Sequence, residues 1–232
     1  TPENTRRAVE AAGNTLTREK LARWLSAYPG LNEERDQQTI GVVMAGNIPM
    51  VGFHDLLCVL ITGNRLQARL STKDKHLIET VAGTLISIDP AYGPMIDLTT
   101  DRLTGFTKVI ATGSNNTSRY FEYYFRNIPS IIRRNRNSIA IIDGTESPAE
   151  LGFLADDIFT YFGLGCRNVV KLWLPEGYEP ESLIHHWSRY ETLRSHYKYS
   201  VNYDHNKAVM IVNRERFHDG GFVLLRESPS LA

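Results

Sequence analysis

Thr39 to Ala45 (T-I-G-V-V-M-A) is an unbroken apolar, β-branched run. It is followed at once by Gly46-Asn47-Ile48-Pro49 and then by an apolar stretch of helical length, Val51 to Thr62. A strand with no polar alternation has to be covered on both faces, which is the signature of a parallel sheet. The unit then repeats. A strand at Leu66 to Leu70 precedes a helix at Asp74 to Ile88, whose Leu77, Val81, Leu85 and Ile88 are spaced for one core side. A weaker strand follows at Met95 to Leu98. A strong one at Thr107 to Thr112 leads into Gly113-Ser114-Asn115-Asn116 and a helix through Tyr120 to Phe125. Ser130 to Ile132 and Ser138 to Ile142 read as further strands. Strands alternating with helices through short turns predict an α/β fold with a parallel, doubly wound sheet. Such sheets bind ligands at the carboxyl ends of their strands, and Asn47 and Gly113-Ser114 lie at two of those ends.

The flanks are less regular. Residues 1–28 predict two helices, one capped by Thr1-Pro2-Glu3 and one opened by Thr17-Arg18-Glu19 and stopped by Pro29-Gly30. Residues 32–38 read as a charged loop. Ser147-Pro148-Ala149-Glu150 opens another helix. That helix runs toward Ile158, Phe159, Phe162 and Leu164, spaced to share one side, and is broken by Gly163 and Gly165. Val169 to Leu174 reads as a buried strand stopped by Pro175. Beyond it the spacing predicts a helix at Pro180 to Tyr197 and strands at Ala208 to Val212 and Phe222 to Leu225. Ser228 to Ala232 supplies no closing element.

Composition excludes several classes. Of 232 residues, 42% are hydrophobic and 22% charged, as in ordinary globular chains. Lys plus Arg and Asp plus Glu are both 26, so no net charge argues for nucleic acid or an anionic membrane as a partner. No apolar run reaches spanning length, and the N-terminus has no apolar signal core. Cys58 and Cys166 make no disulfide framework, so a reducing, cytoplasmic setting is expected.

Cys166 lies in the turn between the broken helix and the strand, where a thiol can meet a substrate and Gly165 permits close approach. Arg167 beside it can favour the nucleophilic thiolate. The alternative is a small buried hydrophobe. The Asn47 amide can donate to a developing oxyanion, or simply hold its own turn. Gly113-Ser114 can bind phosphate at a helix start, or merely cap the helix. No G-x-G-x-x-G or Walker sequence is present. His185 and His186 project about 100° apart on a helix, and no carboxylate cluster accompanies them or His205, so no metal site is expected. Arg133, Arg134 and Arg136 read as a solvated edge or a coenzyme phosphate contact. The aromatics between Tyr120 and Phe125 read as core, as does Cys58.

In order and spacing, these segments resemble the acyl-CoA reductase family of LuxC-like fatty acid reductases, within the aldehyde dehydrogenase superfamily. The resemblance runs from about Thr39 to Pro175 and continues more weakly beyond. G-V-V-M-A-G-N-I-P-M resembles the superfamily strand ending in an asparagine-aromatic-proline turn, which implies an oxyanion role for Asn47. A-R-L-S-T resembles the strand ending in Lys-Pro-Ser-Glu. This implies cofactor contacts for Arg69, Ser71, Thr72 and Lys73. V-I-A-T-G-S resembles the Gly-Ser turn at the cofactor pyrophosphate, giving Gly113 and Ser114. G-L-G-C-R resembles the nucleophile turn, giving Cys166.

The resemblance implies an aldehyde-dehydrogenase-like fold with a helical lead-in (1–38), a nucleotide-binding domain (39–145) and part of a catalytic domain (146–232). The family's catalytic domain extends past Leu225, so the chain reads as a fragment, shortened also at its start. The superfamily's Glu-Leu-Gly-Gly-Lys segment falls near Ile132 to Arg136, where the glutamate that activates water in hydrolytic members is absent. Thr72 stands where a ribose-binding glutamate is expected, leaving room for a 2′-phosphate beside Arg69 and Lys73. The implied activity is NADPH-dependent reduction of an acyl-CoA substrate to an aldehyde through a Cys166 acyl-enzyme. Aldehyde oxidation and a non-catalytic nucleotide-binding module are the alternatives, and a homo-oligomer is left open.

Overall fold

The computed structural model describes residues 1–33 and 35–229. The chain divides into two compact units, Thr1–Asn135 and Arg136 onward. The expected charged loop at 32–38 and the C-terminal run at 228–232 fall partly outside the described residues.

The first unit opens with α1 (Pro2–Thr15) and α2 (Arg18–Leu25). The Thr1 and Thr17 side chains cap them, accepting from the N–H groups of Asn4 and Lys20. The sheet follows: β1 (Thr39–Val43), α3 (Phe53–Ile61), β2 (Arg65–Arg69), α4 (Lys75–Ile88), β3 (Ile96–Thr99), β4 (Lys108–Thr112), α5 (Asn115–Tyr124) and β5 (Ser130–Arg133). The strand order is β3-β2-β1-β4-β5, parallel throughout. The chain winds one way from β1 to β3 and the other from β4 to β5. The reversal lies between β1 and β4, and sheets of this kind bind ligands at the carboxyl ends beside such a point.

Val42, Ala68 and Ala111 on the three middle strands are fully buried, as a sheet covered on both faces requires. The core under α3 joins Ile40, Val42 and Met44 to Leu56, Val59, Leu60 and Leu66. The core side of α4 is set by Ile78 and Ala82, both 2% exposed, with Leu85 alongside; Ile88 is 76% exposed. Of the expected Leu77-Val81-Leu85-Ile88 stripe, Leu85 packs on the core and Ile88 does not, the face being centred on Ile78 and Ala82 instead. Ile78, Ala82 and Leu85 are an equally regular helical set. On α5 the buried contact is Ser118, while Tyr120, Tyr123 and Tyr124 are exposed. The aromatic run is therefore not core as a whole. Phe121 and Phe125 pack together with ring centroids 6.0 Å apart, and the tyrosines occupy the remaining arc.

In the second unit, β6 (Ser138–Ile141) pairs in parallel with β7 (Val169–Trp173). The two are connected through α6 (Pro148–Phe159), which starts on a Ser147–Glu150 capping box. Its core gathers Leu151, Leu154, Ala155 and Phe159 with Val169, Leu183, Trp187 and Phe222. The expected helix over 180–197 is broken: α7 (Glu181–His186) stops and a 3₁₀ stretch runs over Ser188–Ser195. Between them Trp187 is fully buried and donates its indole N–H to the Leu151 carbonyl, which fixes the bend. Ala208 to Val212 is not a strand but the last part of α8 (Tyr197–Val212). A short apolar run carries no period of its own, and here it continues a helix already anchored by buried Tyr203. A small antiparallel pair, β8 (His218–Asp219) and β9 (Leu224–Leu225), follows.

Candidate active site

In the first unit the strand ends are kept in step by backbone bonds. Met44 N–H donates to the Arg69 carbonyl (3.0 Å), Leu70 N–H to Thr99 (2.8 Å) and Gly113 N–H to Arg133 (3.1 Å). Past β1 the chain turns tightly against the β2 end. A Cβ at Gly46 would stand 2.2 Å from the Ser71 hydroxyl oxygen, so only glycine fits. Asn47 follows, exposed. A cavity of about 350 Å³ opens here, lined by Gly46, Asn47, Pro49, Lys73, Asp74 and His76 among others. The fold thus brings together Asn47, Ser71 and Lys73. Arg69 and Thr72 are exposed at and just after the end of β2. Among the described residues, neither Arg69 nor Lys73 is in an ion pair. Arg69 and Lys73, exposed and flanking Ser71 in the chain, are residue types that suit a phosphate group. At β4, Ser114 is the N-cap of α5. Its Oγ accepts from Thr117 N–H at 3.2 Å and bonds the Thr117 hydroxyl at 2.9 Å.

Two acidic residues that the sequence reading passed over support this end of the sheet. Asp74 does not cap α4 with its side chain. Its carboxylate accepts from Met50 N–H at 2.9 Å, across the turn that carries Asn47. Met50 is left-handed (φ 62°), a cost for a non-glycine residue that this bond helps hold. Burial pushes the Asp74 carboxyl above its usual range, and the N–H groups of Met50 and Val51 only partly oppose that. Asp55, 4% exposed on α3, is paired with the Arg133 guanidinium at 2.5 Å. Arg133 is therefore neither a solvated edge nor a free phosphate contact. Arg134 is paired with Glu122. Cys58 is half-buried rather than core, with its sulfur 3.6 Å from His54 Nε2. Burial first, then Asp55, pushes its thiol up, against the Arg133 charge.

In the second unit α6 ends in a sharp reversal. Tyr161 (φ 57°), Phe162 (φ 61°) and Gly163 (φ 71°) are consecutively left-handed. Ile158 and Phe162 pack on the core and Phe159 is buried, but Leu164, expected on the same side, is 56% exposed because the reversal turns it out. Gly165 to Asn168 then forms a tight turn, closed by Asn168 N–H to the Gly165 carbonyl (3.1 Å), with Cys166 and Arg167 at its tip. Both tip residues are exposed, so the buried-hydrophobe alternative for Cys166 fails.

The turn is held from beneath by Asn168, only 7% exposed. Its Oδ1 accepts from Gly165 N–H at 2.7 Å. Its Nδ2 lies 2.7, 3.3 and 3.1 Å from the carbonyl oxygens of Asp157, Ile158 and Thr160. Among the described residues no group of three or more His, Cys, Asp or Glu side chains is placed to hold a metal ion. No helix among them is long and apolar enough to cross a membrane.

By likeness to solved structures, over about two thirds of the chain, the fold is aldehyde-dehydrogenase-like. No protein-family model matches the chain, and no curated protein matches its sequence. Solved structures do match. An aldehyde dehydrogenase from Bartonella henselae aligns with a TM-score of 0.55 at 14% identity, over 68% of this chain and 37% of that one. Indole-3-acetaldehyde dehydrogenase in complex with NAD⁺ aligns at 0.55 and 16% identity, over 66% and 34%. A propionaldehyde dehydrogenase variant from the fucose utilisation microcompartment of Clostridium phytofermentans aligns at 0.53 and 9%, over 65% and 38%. The match thus occupies little more than a third of the length of these chains. At such identities the fold is what is shared.

Proposed function

We propose that the chain carries part of an acyl-CoA reductase, reducing an acyl-CoA thioester to an aldehyde with NADPH. The observation that supports this most directly is the presentation of Cys166, exposed at the tip of a turn that a buried asparagine holds from below. In this reading the Cys166 thiolate attacks the thioester carbonyl, coenzyme A leaves, and an acyl-enzyme results. The Asn47 amide is assigned to the oxyanion, and removing such a donor lowers turnover by roughly 10²-fold. Arg69, Ser71 and Lys73 hold a 2′-phosphate, Thr72 leaves room for it, and the Gly113-Ser114 turn meets the pyrophosphate. When bound, the nicotinamide supplies the hydride that reduces the acyl carbon. Nucleotide binding is assigned to the first unit and thiol chemistry to the second. A cytoplasmic setting suits two free thiols.

The fold supports an oxidoreductase of the aldehyde dehydrogenase type. The direction toward aldehyde rests on the resemblance and on the missing water-activating glutamate near Ile132 to Arg136. The test is incubation with radiolabelled acyl-CoA, with the adduct mapped by peptide mass. Label should reside on Cys166, vanish in Cys166→Ala and persist in Cys58→Ala. Label surviving in Cys166→Ala removes the nucleophile. Aldehyde oxidation without coenzyme A, in place of acyl transfer, would favour the oxidising alternative.

A further inference from the structure

We infer that Asn168 is a positioning residue for acyl transfer to Cys166, an inference that rests on the acyl-enzyme reading above. At the reversal, Tyr161 to Gly163, α6 gives way to a single 3₁₀ turn over Thr160–Gly163, and the chain leaves the helix axis. There the Asn168 amide donates to the carbonyls of Asp157 and Ile158 at the end of α6 and of Thr160 just past it. The same amide takes the N–H of Gly165, the residue immediately before the nucleophile. One buried side chain therefore fastens the end of α6 to the turn that carries the thiol. Neither an aspartate nor a serine at position 168 could do both, since the task needs two donors and one acceptor on one short planar group. Aspartate matches its shape but, once ionised, turns acceptors toward three carbonyls.

The consequence is geometric. Acyl transfer forms the bond from Cys166 sulfur to the acyl carbon and breaks the bond from that carbon to the coenzyme A sulfur. The departing thiolate takes up a proton, and nothing is oxidised or reduced. The transfer requires the sulfur to approach a carbonyl held elsewhere, and a displacement of about 1 Å can cost roughly 10²-fold. Alkylation by iodoacetamide has no such requirement, because the small reagent comes to an exposed thiol from any side and reports its thiolate fraction.

The experiment uses the full chain with Cys58→Ser as parent, and measures two rates at Cys166, single-turnover acylation by acyl-CoA and alkylation by iodoacetamide. Asn168→Ala and Asn168→Asp should lower acylation by roughly 10- to 100-fold while alkylation changes by less than about threefold. For Asn168→Asp the ratio of acylation to alkylation should recover as pH falls and the protonated carboxyl regains a donor; the ratio cancels the thiolate's own titration. Parental acylation in both variants would overturn the positioning role and leave the acyl-enzyme reading standing. An absence of acylation in the parent would overturn both. Should the variants fail to fold, amide exchange in the parent decides: slow exchange at Gly165 N–H supports the clamp, and exchange at the rate of a free turn overturns it.

Discussion

At the scale of single residues, the site is a set of small commitments by side chains that look ordinary in the sequence. Thr72 is exposed just past β2, between Arg69 and Lys73 in the chain. Thr72→Glu places a carboxylate where the proposed 2′-phosphate lies, so it should weaken NADPH by roughly tenfold or more and spare NADH. Titration of the two cofactors by intrinsic fluorescence checks it, and an unchanged ratio of affinities would put the alignment of β2 out of register. Asp74 offers a test of the turn that carries Asn47. Its carboxyl is raised by burial, so its contribution to stability is fully present below the unfolded value of 3.8 and is lost as pH rises through the folded one. Asp74→Asn keeps an acceptor for Met50 N–H and never ionises. Its melting midpoint should equal or exceed the native one at pH 7, with the difference closing in acid. Asp74→Ala leaves that N–H unanswered and should cost about 1 kcal/mol. A midpoint for Asp74→Asn below the native one at pH 7 would mean the charged form is the favoured partner. Neither Asp74 nor Asn168 was legible beforehand. An aspartate before a helix reads as its cap, and an asparagine in a turn reads as bonded to itself. The exposed turn at Cys166 was legible because Gly163 and Gly165 break the helix just before it.

At the scale of elements, α8 shows what fixes a segment whose sequence is ambiguous. Tyr203 on α8 donates its hydroxyl to Asp219 on β8, and Lys207, one turn further, pairs with the same carboxylate. Burial alone would raise Asp219, but the donors Lys207, Tyr203 and Gly221 N–H outweigh it and hold the carboxyl at about 2. Burial and the carboxylate push the Tyr203 hydroxyl up. A depressed carboxyl contributes stability that is present above its unfolded value of 3.8 and lost as pH falls toward about 2. Asp219→Asn should therefore destabilise the second unit at neutral pH and flatten its acid response in that window. Circular dichroism melts from pH 2 to 5 read this directly, and an unaltered pH slope would remove Asp219 from the account. The same contacts explain the misreading of Ala208 to Val212. Long-range bonds from the helix upstream decide that segment, and local pattern does not. Strand β1 needed no such help, since a doubly buried parallel strand writes its burial into consecutive apolar residues. The α4 and α5 faces lay between these cases: their periodicity announced helices, but several registers suited the spacing, and packing against the sheet chose Ile78 with Ala82, and Ser118.

At the scale of the whole molecule, the two units have separate cores. Leu66, 1% exposed, belongs to the cluster under α3, and Leu183, fully buried, belongs to the cluster around Trp187. Each cluster draws its members from one unit alone. Truncating a buried leucine to alanine costs about 2–5 kcal/mol, from the lost transfer of its methyl groups and from the cavity left behind. That loss is felt only by the cooperative unit that contains the cavity, because a unit that is already open gains nothing from the other's packing. Leu66→Ala should therefore lower one calorimetric transition and leave a second in place, and Leu183→Ala should do the reverse. The site follows the same division. Leu66→Ala should weaken nucleotide binding while alkylation of Cys166 keeps its native rate, and Leu183→Ala should alter alkylation while nucleotide binding persists below the second transition. If both substitutions instead shift a single transition together, the two cores fold as one cooperative body, and the assignment of nucleotide binding and thiol chemistry to separable units has to be given up.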